Sequence, residues 1–307
     1  MQRQQEATLH AAHRKVAIVT ETGADIPEDE LERLDIHVVA ARVHFGAQSY
    51  LDKVGITSEE FYRLLATSAV HPKTSQPPVG DFRRVFEFLS SHYPSVISIN
   101  VSGRVSGTRQ AAETAASRIG ARQRVTIIDS LNAAGGEGLL VMHAAELALQ
   151  GADAAAIASS VALVRAKIRT FALIGSLDYG VRGGRVPAWA RTVANALHLA
   201  AYLATFPDGR IAIGGFLLGR SGLAAKFARR VGRELDSGRR YRLIVSHGHA
   251  PEAGQALLEA LRRQHPNIER SWLVPLGSAI GVHGGPGTLV VGFEDISPGP
   301  GPWGARR

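Results

Sequence analysis

The chain alternates short apolar runs with stretches in which apolar residues recur every three or four positions. Residues 16–20 (VAIVT), 37–43 (HVVAARV), 95–101 (SVISINV) and 125–128 read as strands. Between them lie helical patterns. Pro27 opens a polar helix in its first turn, where Glu28, Asp29 and Glu30 suit the positive end of the helix dipole. Ser58 reads as a cap for a helix over 58–66, with Glu59 and Glu60 in its first turn. Val79, Phe82, Phe86 and Leu89 mark one face of a helix over 79–90. An alanine-rich helix follows at 110–119. Gly135, Gly136 and Gly138 read as a turn before a helix that runs to Leu149, and 153–167 is a further helix.

Strand and helix thus alternate through the first half, which predicts a parallel sheet with helices on both faces. In the second half, 170–175, 210–218, 242–246, 272–274 and 288–293 read as strands separated by helices and glycine turns. The pattern predicts an α/β protein of two domains: an N-terminal parallel-sheet domain over 15–167 and a C-terminal α/β domain over 168–296. A polar tail over 1–14 and a disordered Pro/Gly-rich tail over 297–307 flank them. No internal repeat is visible.

Composition narrows the function. The 307 residues are 45% hydrophobic, which is globular composition with ample material for a core. The absence of cysteine excludes disulfides, cysteine-ligated zinc, iron–sulfur clusters and a thiol nucleophile. The most apolar stretch, 154–164, is too short to span a bilayer, and the N-terminal residues lack the apolar core of a secretory signal. The expected location is cytoplasmic. The net charge of +8 comes from arginine, with only five lysines. The arginines are scattered, with short pairs at 229–230, 239–240 and 306–307, and form no basic stripe with interleaved aromatics. No nucleic-acid partner is expected; the charge suits an acidic partner or transient contact with an anionic membrane surface.

Four segments could carry chemistry. Lys73-Thr74-Ser75-Gln76-Pro77 sets two hydroxyls in a loop whose path prolines at 72, 77 and 78 restrict. Ser102-Gly103-Arg104-Val105-Ser106-Gly107-Thr108 follows a strand and opens a helix, at the end of a parallel sheet where ligands bind and helix amides favour an anion. Both patterns also serve plain helix capping. Gly281-Val282-His283-Gly284-Gly285-Pro286-Gly287 puts a histidine in a glycine-rich loop, where its nitrogen can donate to a carboxylate or phosphate. Arg182-Gly183-Gly184-Arg185-Val186 reads as an exposed basic turn. No nucleotide P-loop, zincin or hydrolase-elbow motif is present, and His247 and His249 lack acidic ligands at metal spacing, so no metal is expected. Ser106, His283 and Asp129 leave open a Ser/His-dependent hydrolase, or a phosphotransferase acting on an acyl or small-molecule ligand.

Taken together and in order, these segments resemble the DegV family of bacterial fatty-acid-binding proteins, over about Val16 to Phe293. Thr74-Ser75-Gln76-Pro77 is similar to the family's TSQP motif, Ser102–Thr108 to its SSxLSGT motif, Asp129-Ser130 to the following DS, Gly183-Gly184-Arg185 to its GGR turn, and His283–Gly287 to HxGPG. Residues 20–27 are similar to its DSTADLP opening but depart at Glu21, Thr22 and Gly23; Gly103 replaces a serine; and Ala200-Ala201-Tyr202 lacks the lysine and proline of an IKP-type segment. Arg220 matches the arginine that follows the next strand.

The resemblance implies a two-domain fold with a long-chain fatty acid in a buried tunnel between the domains. It implies that Thr74, Ser106 and His283 hold the carboxylate, with Ser75, Ser102, Gly107, Thr108, Gly284 and Arg185 in supporting roles. It further implies a carrier, not a catalyst, with no cofactor, which presents its ligand to an acyl kinase for phospholipid synthesis. Burial of a sixteen-carbon chain at about 0.8 kcal/mol per methylene offers on the order of 12 kcal/mol before costs. A bare buried carboxylate is expensive, and hydroxyl and amide donors offset that cost.

Overall fold

The computed structural model describes residues 14–120, 124–219 and 221–299. Of the expected tails at 1–14 and 297–307, residues 1–13 and 300–307 lie outside the described residues, as does Arg220, while Ser297 is tied down, accepting from the Arg240 amide and from Lys167. Three sheets organise the rest. The first is parallel, in the order β2-β1-β6-β7, from β1 (Val16–Glu21), β2 (Ile36–Val39), β6 (Ser95–Asn100) and β7 (Val125–Asp129). Every residue of β1 and all but the first of β6 are buried, as befits central strands covered on both faces. Helices α1 (Glu28–Leu34), α2 (Ser58–Thr67), α3 (Val79–His92) and α4 (Thr108–Ser117) belong to this half. Phe82, Phe86 and Leu89 of α3 pack with Ala112 and Ala115 of α4 against Ala17 and Val19 of β1.

The run at 37–43 does not form one strand. It breaks after Val39 and continues as β3 (Arg42–Phe45) in a separate antiparallel sheet, order β4-β3-β5, with β4 (Gln48–Leu51) and β5 (Lys73–Ser75). The Thr74 segment, expected as a loop, is therefore a short strand. The cap of α2 is Thr57 rather than Ser58: Thr57 accepts from the Glu60 amide while Glu60 reaches back, a capping box one residue earlier.

The second half builds a six-stranded mixed sheet, order β10-β9-β8-β13-β11-β12. Its strands are β8 (Ile168–Leu173), β9 (Leu199–Thr205), β10 (Ile211–Leu218), β11 (Tyr241–His247), β12 (Ile268–Pro275) and β13 (Leu289–Asp295). Only β11 and β12 run parallel among its pairs; the others are antiparallel. The Ala200-Ala201-Tyr202 segment lies in β9, which has no counterpart among the expected strands. Tyr202 fills the space that Gly214 and Gly215 leave open opposite it on β10, and its hydroxyl accepts from Arg230 Nε at 2.7 Å.

Helix α5 (Ala134–Leu149) lies between the parallel and mixed sheets and is buried almost all round. Gly135, Gly136 and Gly138 belong to its first turns, not to a turn before it. A side chain on Gly136 would run into Thr170 Oγ1 and one on Gly138 into the carbonyl of Ala24. These glycines admit close backbone approach on two sides. Helix α6 (Ala154–Arg165) follows, capped by Asp153, which accepts from the Ala156 amide at 2.8 Å. The remaining helices are α7 (Leu177–Arg182), α8 (Ala188–Ala196), α9 (Leu223–Gly232), α10 (Pro251–Gln264) and α11 (Ser278–Gly284). His283 thus sits on a helix, not in a loop. Among the described residues no helix is long and apolar enough to cross a membrane.

Candidate functional site

A cavity with ≈ 1100 Å³ of empty space, part of it open to solvent, lies between the two halves. Its walls come from β8, β9 and β10 (Ala172, Leu203, Ile211), the residue after β8 (Ile174), the start of α5 (Ala133, Ala134) and α11 (Ala279, Ile280). A second, polar cleft outside it is lined by Gly103, Arg104, Gly107, Arg109 and Glu113. Thr74, Gln76, Val105, Ser106 and Arg185 line both spaces. They form the mouth through which the apolar cavity opens outward.

Most of the residues singled out from sequence meet at this mouth. Thr74 on β5 lies with Oγ1 3.2 Å from Nε2 of His283 on α11, across 209 residues of chain. Ser106 Oγ lies 2.8 Å from Thr108 Oγ1 and accepts from the Thr108 amide at 3.3 Å, so it also serves the start of α4. Arg185 donates to the carbonyls of Gly183 at 2.6 Å and Val105 at 3.2 Å. Both acceptors are neutral, so the guanidinium keeps its charge beside the mouth. Gly183 is required here because a side chain would overlap the His283 ring at Nδ1. Burial, then Arg185 and His71, push the His283 pKa down to about 4. The imidazole is neutral near pH 7, and its buried Nδ1 has no hydrogen-bond partner within the protein.

The supporting residues divide. Thr108 and Gly284 line the cavity, and Gly107 lines the outer cleft. Ser75 lines the cavity, with its hydroxyl 3.0 Å from His44 Nε2. Ser102 stands apart: it is fully buried, donates to the Gly209 carbonyl at 2.7 Å and accepts from the Arg104 amide. It braces the loop instead of facing the cavity. Asp129 is also turned away, accepting from the Gly103 and Leu131 amides. Ser106 pairs with Thr108 and His283 with Thr74, so the serine–histidine pairing of a hydrolase is not assembled. Among the described residues no group of three or more His, Cys, Asp or Glu is arranged to hold a metal.

The sequence reading passed over an acidic wall. Glu21, at the end of β1, lines the cavity, is buried and accepts from the Gly23 amide at 2.6 Å. Beside it is Glu137 of α5, wholly buried, which accepts from Thr20 Oγ1. Burial pushes Glu21 up to about 6 and, with Glu21 as neighbour, raises Glu137 well above the carboxylate range. Glu21 Oε1 and Glu137 Oε2 are buried with no hydrogen-bond partner in the protein, which disfavours the charged form of both carboxyls. Asp25 and Asp52 lie nearby with the Lys53 ammonium, which sits 2.7 Å from Asp25 Oδ1. One signal was available: Glu137 is a lone acid in an otherwise apolar turn, AGGEGLLVM.

Comparison with known proteins agrees with this architecture. The family model described as "uncharacterised protein, DegV family" matches residues 15–295. A DegV domain-containing protein of Caldanaerobacter subterraneus is 33% identical over 284 residues, covering 92% of this chain and 99% of that one. A fatty-acid-binding DegV family protein from Thermus thermophilus superposes with a TM-score of 0.84 at 28% identity, covering 92% of this chain and all of the other. DegV from Bacillus subtilis, described as a fatty acid binding protein, gives a TM-score of 0.81 at 25% identity over 92% of this chain and 99% of that one.

Proposed function

The chain belongs to the DegV family, and from that premise we propose that it binds a long-chain fatty acid, tail in the apolar cavity and carboxylate at the mouth. The carrying observation is the cavity itself: an apolar interior that meets the outer cleft where Thr74, Ser106, Arg185 and, just inside, His283 gather. In this reading Thr74, Ser106 and neutral His283 donate hydrogen bonds to the carboxylate, and Arg185 supplies charge. Thr108, Ser75, Gly107 and Gly284 shape the pocket around them, while Ser102 acts through the loop it braces. The protein is a carrier without a cofactor, and the ligand is its cargo.

The outer cleft supports a further step. A head group at the mouth would face a space lined by Arg104, Arg109 and Arg185. In this reading a partner acyl kinase docks there, reaches the carboxylate and phosphorylates it for phospholipid synthesis, and the carrier works in the cytoplasm. Loading from a membrane surface is supported by α8, where Trp189, Val193 and the adjoining Leu197 form an exposed apolar row at helical spacing. Much of the positive charge elsewhere is already paired, as Arg242 is with Glu294 and Glu146, and Arg270 with Glu30. This favours no nucleic-acid partner.

Mass spectrometry of an organic extract of the purified protein tests the reading. A stoichiometric fatty acid is expected, and a Thr74→Ala/Ser106→Ala variant should carry much less. A folded protein that holds no acyl species and takes up neither oleate nor palmitate would refute it.

A further inference from the structure

Helix α11 comes from the second half of the chain, yet its N-terminus is held by the first. Gly277, at its N-cap, has no side chain to serve the opening amides. Asp52, just beyond β4, takes that part. Its Oδ1 accepts from the Ser278 amide at 2.7 Å and from Ser278 Oγ at 2.6 Å. Asp25 Oδ1 accepts from the Gly277 amide at 3.4 Å, and the Lys53 ammonium donates to the same oxygen at 2.7 Å. Asp25, Asp52 and Ser278 are each about 1% exposed, so these bonds have no competing water.

The other end of α11 carries His283. It lies five positions after Ser278, roughly 7.5 Å along a helix axis. Its partner Thr74 lies on β5, which pairs with β3; Asp52 follows β4, which pairs with the other edge of β3. The three-stranded sheet therefore grips α11 at both ends, by Asp52 at the first turn and by Thr74 at the last. Gly281, between them, lies against Phe61 and Tyr62 of α2, with no room for a side chain. A helix of seven residues clamped in this way moves as one rod.

We infer that Asp52 is a positioning residue of the mouth: it sets the height and tilt of α11, and so places the His283 imidazole against Thr74 and the bound head group. The inference rests on the fatty-acid reading above. It assigns Asp52 no contact with the ligand. Its loss disturbs recognition of the carboxylate and spares the apolar tail site.

The test compares oleate with oleyl alcohol, which has the same chain and no charged head, on delipidated full-length protein. Asp52→Ala should weaken oleate binding by about tenfold or more, the scale of one lost hydrogen bond to a charge. Oleyl alcohol should change by less than about threefold. Asp52→Asn keeps an acceptor for both Ser278 donors and should restore most of the oleate affinity. The His283 ring resonances in the NMR spectrum should shift in Asp52→Ala and stay near the parent in Asp52→Asn. Should Asp52→Ala not fold, Ser278→Ala removes one of the two bonds and must show the same acid-selective loss at smaller size. Unchanged oleate binding, or equal loss for acid and alcohol, overturns the inference while the fatty-acid reading stands. A parent protein that binds neither ligand overturns both.

Discussion

The mouth and Glu21 line one cavity, with the wholly buried Glu137 beside Glu21, and the two regions are built from opposite materials. The mouth gathers neutral hydroxyls, an imidazole whose pKa is pushed down, and arginine. The wall holds carboxyls whose pKa values are pushed up. Burial drives both shifts, because each group sheds the charge it cannot solvate. For a carboxylate ligand the consequences differ. Donors at the mouth welcome the head, while Glu21 and Glu137 make the wall a poor place for a second negative charge. For the proposed ligand the contrast sets a direction: head outward, tail inward.

The sharpest way to break this contrast is to make the mouth resemble the wall. Ser106→Asp adds a carboxylate beside the head group. Two like charges about 4 Å apart at an effective dielectric near 20 repel by about 4 kcal/mol. Oleate affinity should therefore fall by roughly two to three powers of ten in a fluorescence titration, with little change for oleyl alcohol. Next in size is the acid limb of stability. His283 falls from 6.5 to about 4 on folding, so the unfolded chain binds more protons between those values. Its contribution is intact above pH 6.5 and is lost as pH falls toward 4, by about 3 kcal/mol in all. In urea titrations across that window His283→Gln should flatten the loss.

The wall gives the opposite sign. Glu21 rises from 4.5 to about 6, so folding favours its protonated form. Its contribution is intact below pH 4.5 and is lost as pH rises through 6, about 2 kcal/mol by neutral pH. Glu21→Gln keeps the shape without the titration, and its melting temperature should exceed the parent's at pH 8 and match it at pH 4. The smallest effect concerns neither region. Trp189→Ser should leave stability within about 0.5 kcal/mol, since the ring is 58% exposed. If α8 meets membranes, the same variant should slow transfer of oleate from anionic vesicles.

Legibility in the sequence follows the same division. The mouth residues stand in short segments with unusual local chemistry, hydroxyls or histidine among glycines and prolines, so the segments stand out before any fold is known, while the choice of Thr74, Ser106 and His283 within them comes from the family resemblance. The wall depends on a meeting between Glu21 and Glu137, which sequence spacing cannot show. Likewise, the first-half strands were readable where both faces are buried, as in β1 and β6. The small sheet was not, because β4 and β5 are short and half-exposed. The glycines of α5 looked like a turn because the reason for them, contact with Thr170 and Ala24, is long-range. His283 looked like a loop residue because the cap that starts its helix, Asp52, lies 226 residues away from Ser278.

The placement of α5 also bears on how the chain can be divided. One side of this helix packs on β1 and β6 and the other on β8, β11 and β13, yet it belongs to the first half of the sequence. A polypeptide ending at Lys167 would present that second side to water as a bare apolar strip, and it should be sticky and poorly soluble by itself. The later half, synthesised alone, would lack the rod that seals its sheet. Expressed together as two separate polypeptides, the halves should find each other and co-purify, because each carries the lid for the other's interior. The helix makes them interdependent partners within one molecule, despite two sheets that look self-sufficient on paper.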